Sequence, residues 1–329
     1  MTPVQRELVF DIDMTDYDDV RTCCSGADVC QKCWKFMVIA ARILDVAVRE
    51  DFGWEHILWV FSGRRGIHCW VCDYDARHLD TAGRSAVAEY FQVVTHIMVE
   101  GINVARVHIG EKMHHSIKRA FKIIEPVFEE IILCEQNLFN SPKGVGKLCH
   151  FISDDTARRD TEHFLLNNVS DGAPAREVWE AFKRYAHSMR CNSNTTVWSR
   201  RLKNIIEEIQ LACLYPRLDI NVTKGFNHLL KAPFCIHPAT GKVCVPFNAN
   251  AASKFNPTTV PTIAQLLQEI NTFDEKTKNK EESDEKLRIK DYKKTSMFKG
   301  VVVFEEFLRK IESSLKAKAL HTNQQKMDF

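Results

Sequence analysis

Two acidic residues near the start of the chain have a spacing that suits a metal ion. Residues 7–19 read ELVFDIDMTDYDD, and the apolar residues around Asp11 and Asp13 predict a short buried strand. Because side chains alternate across a strand, both acids are expected on one face, with Cα atoms about 6.6 Å apart. Two bare carboxylates there repel by about 2.5 kcal/mol at an effective dielectric of about 20. Unless these acids are simply solvated at a strand end, the oxygen-only donors favour Mg²⁺ or Mn²⁺.

A dense group of cysteines follows this segment in the pattern CC-x5-C-x2-C. Four thiolates this close together provide the ligands of a closed tetrahedral zinc site. No histidine is needed, so the pattern favours a structural site over a catalytic one. The chain has 12 cysteines but no signal-peptide layout at its start, which favours metal ligands or reduced thiols over a disulfide framework. The four candidate ligands are Cys23, Cys24, Cys30 and Cys33.

A turn with two glycines and two arginines joins two predicted strands, residues 56–61 and 69–75. It reads SGRRGIH from Ser62 to His68. Arginine guanidinium groups pair well with phosphate oxygens, and the backbone N–H groups of a glycine turn add further donors. The alternative is a surface hairpin turn. We expect phosphate binding, because solubility alone does not call for two arginines between glycines.

The later part of the chain supplies one more acid and several cations. Residues 215–222 read as a strand with Asp219 among apolar neighbours, where an acid is costly unless it is paired or metal-bound. A turn then leads to His228, Lys231 and His237. This set complements the two acids and the arginine turn of the first part.

The elements that position these residues predict an α/β (α+β) fold. The expected division is a catalytic module in two parts, residues 1–104 with a zinc motif at 20–34 and residues 213–329, around a helical insertion at 105–212. A polar connection is expected at 153–161 and a charged loop at 274–294. The net charge is only +2 and no apolar run reaches membrane-spanning length, so nucleic-acid binding would need local patches and no membrane partner is expected. Helices are predicted at residues 34–51, 83–103, 112–135, 174–190, 197–214, 262–273 and 302–315.

Taken jointly, these motifs resemble the small catalytic subunit of eukaryotic and archaeal DNA primase. The resemblance rests on ELVFDIDMTDYDDV, the cysteine cluster, FSGRRGIHCWVCD, YPRLDINVTKGFNHLLKAPF and the late DYKKTS, and it spans nearly the whole chain. It implies a mixed-sheet catalytic module with a zinc motif and an inserted helical subdomain. It also implies template-directed synthesis of short RNA primers by two-metal-ion nucleotidyl transfer during DNA replication.

The resemblance assigns roles to individual residues. Asp11, Asp13 and Asp219 match the acids that hold two Mg²⁺ or Mn²⁺ ions, and the four cysteines match structural zinc ligands. The implied partners are ribonucleoside triphosphates, a single-stranded DNA template, the large primase subunit and the DNA polymerase α complex, in the nucleus. The residues matched to the incoming nucleotide are Ser62, Arg64, Arg65 and His68, with Lys231 and His237 on its triphosphate and Arg217 and His228 near it.

Two other functions stay open from the sequence. Members of the family carry a substantial segment before the first acidic strand, and its expected absence here favours a truncated form that acts as an interaction unit of the primase complex. The same acids and arginines would also serve a metal-dependent phosphohydrolase or nuclease. Net incorporation of nucleotides on a template separates polymerase activity from both alternatives.

Overall fold

The chain forms two compact units in the computed structural model, which describes residues 4–99, 101–191, 196–278 and 289–327. Helices occur together with antiparallel strand pairs, so the α+β class is confirmed. The domain boundaries expected from the sequence stay a prediction. Unit 1 comprises Met1–Asp11, Val48–Ser85 and Asp219–Phe329, and unit 2 comprises Ile12–Ala47 and Ala86–Leu218.

The strands and α-helices are numbered in chain order. The strands are β1 (Leu8–Ile12), β2 (Ile57–Phe61), β3 (Ile67–Val71), β4 (Thr95–Val99), β5 (Ile102–Arg106) and β6 (Pro246–Phe247). The first six helices are α1 (Gln31–Phe52), α2 (Tyr74–Arg77), α3 (Thr81–Phe91), α4 (His115–Phe128), α5 (Pro142–His150) and α6 (Asp155–Asn168). The others are α7 (Ala175–Cys191), α8 (Thr196–Arg200), α9 (Ile205–Leu214), α10 (Ile220–Lys224), α11 (Ile263–Lys278) and α12 (Phe298–Met327).

A four-stranded sheet carries the predicted hairpin. Its strand order is β1-β3-β2-β6, and β2 pairs antiparallel with both β3 and β6. The β2–β3 register runs from Ile57 opposite Val71 to Phe61 opposite Ile67, so the Ser62–Gly66 turn closes directly on the last pair. Among the described strands, β1 lies at one edge of this sheet.

One part of the hydrophobic core of unit 1 lies against one face of β2. Leu58 and Val60 point to the same face because side chains two apart in a strand share a face. Both are buried, and Phe304 and Phe307 of α12 pack against them. The apolar stripe of the last predicted helix therefore closes a core, and the arginine turn is held on a packed strand pair.

The predicted helix at residues 83–103 is wrong in its second half. Helix α3 ends at Phe91, and β4 and β5 then form an antiparallel hairpin. Gly101 has a φ of +80° at the turn, a left-handed conformation that favours glycine. The β-branched residues of both segments suit paired strands, and their pairing with each other overrides the helical spacing.

Two further local predictions are wrong for the same reason. In each segment an aspartate caps the start of a helix. The expected polar connection at 153–161 runs into α6, whose first turn is capped by Asp154 accepting from the N–H of Ala157 at 3.0 Å. The expected strand at 215–222 is absent: residues 215–219 lie in neither a helix nor a strand, and α10 then begins at Ile220, capped by Asp219 accepting from the N–H of Asn221 at 3.0 Å. An N-cap side chain satisfies helix N–H groups that otherwise lack a partner.

The charged run predicted as a loop at 274–294 is described only at its two ends. Helix α11 continues to Lys278, and a short 3-10 helix spans Asp291–Lys294. Residues 279–288 lie outside the described residues. Across the described helices, none combines the length and apolar character needed to cross a bilayer.

Candidate active site and metal centre

Asp11 and Asp219 come together in unit 1 although they are far apart in the sequence. The N–H of Asp219 donates to the carbonyl oxygen of Asp11 at 3.1 Å, at the end of β1. The hydroxyl of Thr223 donates to the carbonyl of Val9 at 2.8 Å and ties α10 to the same strand. Asp219 is exposed at the start of α10 rather than buried inside a strand, so solvation and its capping bond accommodate its charge.

A histidine lies beside the first acid. His68, on the neighbouring strand β3, is only 4% exposed, and its Nε2 lies 3.4 Å from Oδ1 of Asp11. The sequence predicted His68 as part of the arginine turn. The structure places its imidazole on the acid, where it can orient that carboxylate.

Asp13 follows β1 and belongs to unit 2. Its Oδ1 accepts from the N–H of Thr15 at 2.8 Å and from the Thr15 hydroxyl at 2.6 Å, at the start of the 3-10 helix Met14–Tyr17. These bonds fix the carboxylate locally. An arrangement of Asp11, Asp13 and Asp219 around shared ions stays a prediction.

The predicted phosphate-binding turn is closed by its own serine. The N–H of Ser62 donates to the carbonyl of Gly66 at 2.9 Å, and the N–H of Gly66 donates to Oγ of Ser62 at 2.9 Å. Arg64 and Arg65 lie half-buried at the tip. Because Ser62 Oγ accepts the Gly66 bond, its hydroxyl hydrogen can still point to an anion.

A second segment brings Lys231 and His237 to this turn. The pKa of His237 lies below its ordinary value. Burial is the largest cause, and the positive charges of Lys231, Arg64 and Arg65 add to it. The Nδ1 of His237 accepts from the N–H of Ala239 at 3.2 Å, which is the neutral tautomer with its proton on Nε2. Three cations and an imidazole donor from two distant segments thus share one electrostatic environment within unit 1.

The loop that carries His228 is held by two arginines that sequence reasoning missed. Arg6 donates to the carbonyls of Gly225 at 2.9 Å and Phe226 at 2.8 Å, and also to that of His228. The guanidinium of Arg84, itself 1% exposed, lies 4.4 Å from the centroid of the Phe226 ring. The His228 side chain is exposed. Isolated arginines in the sequence give no signal of such a role, because their partners are backbone carbonyls.

Arg217, which the resemblance places near the nucleotide, is engaged inside unit 2. Only 4% of it is exposed, and its guanidinium forms an ion pair with Asp19, donates to the carbonyl of Ala212 at 2.9 Å and lies 5.0 Å from the Tyr17 ring centroid. Burial alone would lower the pKa of Arg217, but the Asp19 carboxylate raises it above its ordinary value. The Arg217 side chain therefore stabilises the segment that follows Asp13, through its contacts with Asp16 and Asp19.

The four predicted zinc ligands converge in unit 2. The Sγ of Cys30 lies 3.6 Å from that of Cys23 and 3.8 Å from that of Cys33. Four sulfurs bound to one zinc ion at about 2.3 Å stand about 3.8 Å apart, so these separations fit a tetrahedral zinc site. Within the described part of the chain, Cys23, Cys24, Cys30 and Cys33 are the one group of three or more metal-type ligands whose atoms lie within 4.8 Å.

Hydrogen-bond donors surround the sulfurs and prepare them for a cation. Burial raises the pKa of Cys33 to about 12 and that of Cys24 to about 11. Burial also opposes ionisation of Cys30, but hydrogen bonds from its neighbours, with the Cys33 backbone first, lower its pKa to about 7. Gln136 Nε2 adds a bond to Cys23 Sγ at 3.5 Å. One thiolate forms readily, and a bound metal would favour loss of the other protons.

Known proteins resemble this chain over most of its length. The family model described as DNA primase small subunit matches residues 10–249. The DNA primase small subunit of Drosophila melanogaster is 68% identical over 321 residues, which cover 97% of this chain and 73% of that protein. The chain belongs to the DNA primase small subunit family.

Two yeast relatives extend the same comparison. The primase small subunit of Schizosaccharomyces pombe is 40% identical over 278 residues, covering 82% of this chain and 58% of that protein. The subunit of Saccharomyces cerevisiae is 39% identical over 268 residues, covering 81% of this chain and 63% of that protein. The chain thus spans less than two thirds of either yeast primase subunit.

Proposed function

We propose that this chain carries the nucleotidyl-transfer site of a primase and makes short RNA primers from ribonucleoside triphosphates on single-stranded DNA during replication. The observation that carries the proposal is the close contact of the arginine turn, at Gly63, with His237, whose pKa is lowered by burial and by the charges of Arg64, Arg65 and Lys231. The same unit holds Asp11 and Asp219 side by side through a backbone bond. A triphosphate needs such a cationic pocket next to acids that can hold divalent ions.

The donor set suits hard divalent cations. Asp11, Asp13 and Asp219 would hold Mg²⁺ or Mn²⁺ through carboxylate oxygens, the ligands these ions prefer. Such ions would supply activation of the primer 3′-hydroxyl and charge neutralisation at the triphosphate. His68 then keeps the Asp11 carboxylate in a fixed orientation, and the Asp219 backbone bond keeps the two acids together.

The cationic pocket binds and orients the incoming nucleotide. Arg64, Arg65 and Lys231 neutralise negative charge on the triphosphate oxygens, and this charge shifts toward the leaving group as the bond breaks. His237 donates its Nε2 proton to a phosphate oxygen, because its Nδ1 is occupied as an acceptor. The hydroxyl of Ser62 donates to the same group. No side chain acts as a nucleophile.

The cysteine cluster has a separate, structural role in this proposal. Cys23, Cys24, Cys30 and Cys33 would together hold one zinc ion, and four thiolate ligands are typical of structural zinc sites. As a member of the primase family, the chain is proposed to work in the nucleus with the large primase subunit and DNA polymerase α.

The proposal is tested by ribonucleotide incorporation on a single-stranded DNA template with Mg²⁺ or Mn²⁺. Asp219→Asn keeps a side-chain oxygen for the N-cap but removes the charge, and we expect incorporation to fall by at least about 100-fold with an unchanged unfolding transition. Asp11→Asn should match it. The matched control is Asp171→Asn, an exposed acid of unit 2 that should retain full activity.

Two results would contradict the proposal. Full ribonucleotide incorporation by the Asp219→Asn variant would show that Asp219 is not part of the catalytic site. Degradation of the template or of nucleotides without net incorporation would assign the acids and arginines to a phosphohydrolase or nuclease.

A further inference from the structure

A side-chain hydrogen bond joins the two cationic segments of unit 1. The hydroxyl of Thr240 donates to the carbonyl oxygen of Gly63 at 2.7 Å. The same oxygen of Thr240 accepts from the N–H of Lys242 at 3.2 Å. Both hydrogen-bonding capacities of the hydroxyl are therefore used, and its direction is fixed between the arginine turn and the segment that carries His237.

That segment is a rigid hairpin, so the position of Thr240 determines the position of His237. The N–H of His237 donates to the carbonyl of Lys242 at 2.8 Å, and the N–H of Gly241 donates back to the carbonyl of His237 at 2.8 Å. Ile236 pairs antiparallel with Val243 just outside the turn. A shift at Thr240 would therefore carry the imidazole with it.

The turn and the hairpin also meet directly at Gly63. A Cβ on this residue would lie 2.7 Å from the Cβ of His237, closer than such atoms approach, and 3.2 Å from Sγ of Cys244, a tight contact. Gly63 has a φ of +85°, in the left-handed region. The two segments are therefore closely packed, and the arginine turn contacts the segment that carries His237.

Charge repulsion works against this arrangement. Lys231, Arg64 and Arg65 are all positively charged and all lie close enough to His237 to lower its pKa, and like charges that share such a small region repel one another. Like charges would separate if their segments could move. A hydrogen bond of ordinary strength, together with close packing, is what keeps the segments at a fixed spacing before an anion arrives.

We propose that Thr240 is a positioning residue that sets the spacing between the arginine pair at Arg64 and Arg65 and the imidazole of His237. The inference rests on the proposed function of the pocket in binding a triphosphate. Thr240 touches no reacting atom and acts through Gly63 and the hairpin. A pocket that already has its bound geometry binds more tightly, because less ordering is required on binding.

The decisive experiment compares Thr240→Val with Thr240→Ser in the full chain. Valine keeps the shape but lacks the hydroxyl, and serine keeps the hydroxyl. With Thr240→Val we expect the KM for ATP to rise by about 5-fold, the loss of one ordinary hydrogen bond, with kcat within about 2-fold of the original. Thr240→Ser should restore the KM.

A spectroscopic readout separates positioning from general destabilisation. If the arginine turn moves away from His237 in Thr240→Val, the pKa of the His237 imidazole should rise, as NMR titration of the nucleotide-free protein can measure. Gly63→Ala should push the hairpin away by steric contact and raise the KM for ATP by at least 5-fold, the Thr240→Val effect. An unchanged KM and an unchanged His237 pKa in Thr240→Val would overturn the inference, and so would a serine variant as impaired as the valine variant.

Arg64→Ala, measured in parallel, separates this inference from the proposed function. If Arg64→Ala raises the KM for ATP but Thr240→Val does not, the positioning role is wrong and the triphosphate pocket stands. If Arg64→Ala also leaves the KM unchanged, the pocket assignment fails and the role of Thr240 fails with it.

Discussion

The cysteine cluster draws all four thiols from residues 23–33, whereas the proposed phosphate pocket draws its cations from two segments, residues 62–68 and 231–242. The cluster's geometry follows from spacing along the chain, with sulfur atoms 3.6 and 3.8 Å apart. The pocket needs a long-range bond from Thr240 to Gly63 and a close contact with His237. A local site can be read from spacing, and a site built from distant segments depends on packing that no motif displays.

The two regions also differ in the sign of the ion that each is expected to bind. In the cluster, hydrogen bonds lower the pKa of Cys30 to about 7, whereas burial raises those of Cys24 and Cys33, so a metal cation is needed to ionise the remaining thiols. The pocket gathers positive charges that repel one another and lower the pKa of His237. The cluster is thus expected to lose stability without its cation. The pocket is expected to gain stability with an anion.

The largest expected effect is on the cysteine cluster. Cys30→Ser, or removal of metal with a chelator, should lower the melting temperature by about 10 °C, because metal-binding energy is folding energy. Calorimetry and measurement of zinc per chain check this. Cys134→Ser, an exposed cysteine outside the cluster, should change neither quantity. Equal melting temperatures for the Cys30→Ser variant and the control would contradict a structural role for the cysteine cluster.

The second effect concerns Arg217. The resemblance implies that this residue lies near the nucleotide, and in the structure its guanidinium forms an ion pair with Asp19 in unit 2. Arg217→Met leaves the Asp19 carboxylate without its buried partner, so we expect the free energy of unfolding to fall by about 3 kcal/mol. Urea unfolding measures it. The matched control is Arg200→Met at an exposed position, which should stay within about 0.5 kcal/mol. Similar losses in both variants would argue against a supporting role for Arg217.

The third effect belongs to the pocket alone. Lys231→Met should raise the KM for ATP by about 10-fold or more, as loss of a hydrogen bond to a charged group predicts. Lys254→Met removes an exposed lysine elsewhere in unit 1 and should leave the KM unchanged. Thermal melting should be similar in the two variants. A KM that rises equally in both would indicate a general charge effect instead of a defined pocket.

The smallest effect is a dependence of stability on pH through His237. Its pKa in the folded chain lies below the ordinary value near 6.5, so the unfolded chain binds the proton more tightly. This contribution to stability is complete above pH 6.5 and is lost as the pH falls below it. His237→Gln should therefore lose less stability between pH 7.5 and 5.5 than the original chain in urea unfolding. His163→Gln, at an exposed position on α6, should behave like the original chain, and equal losses in all three proteins would contradict the assignment.

Sequence patterns determined much of the local structure of this protein. The strands β1 and β2, the glycine turn with Arg64 and Arg65, and the cysteine spacing all fold as their patterns predict. Each depends on residues within about ten positions of one another, so chain geometry alone limits the possible arrangements.

Only the tertiary structure decided the remaining features. Asp219 starts a helix instead of lying in a strand, because its side chain caps α10 and its backbone bonds to Asp11. Arg217 pairs with Asp19, and Thr240 meets Gly63. These choices depend on contacts between residues far apart in the chain, and such contacts can override a local preference that is worth less than one buried hydrogen bond or ion pair.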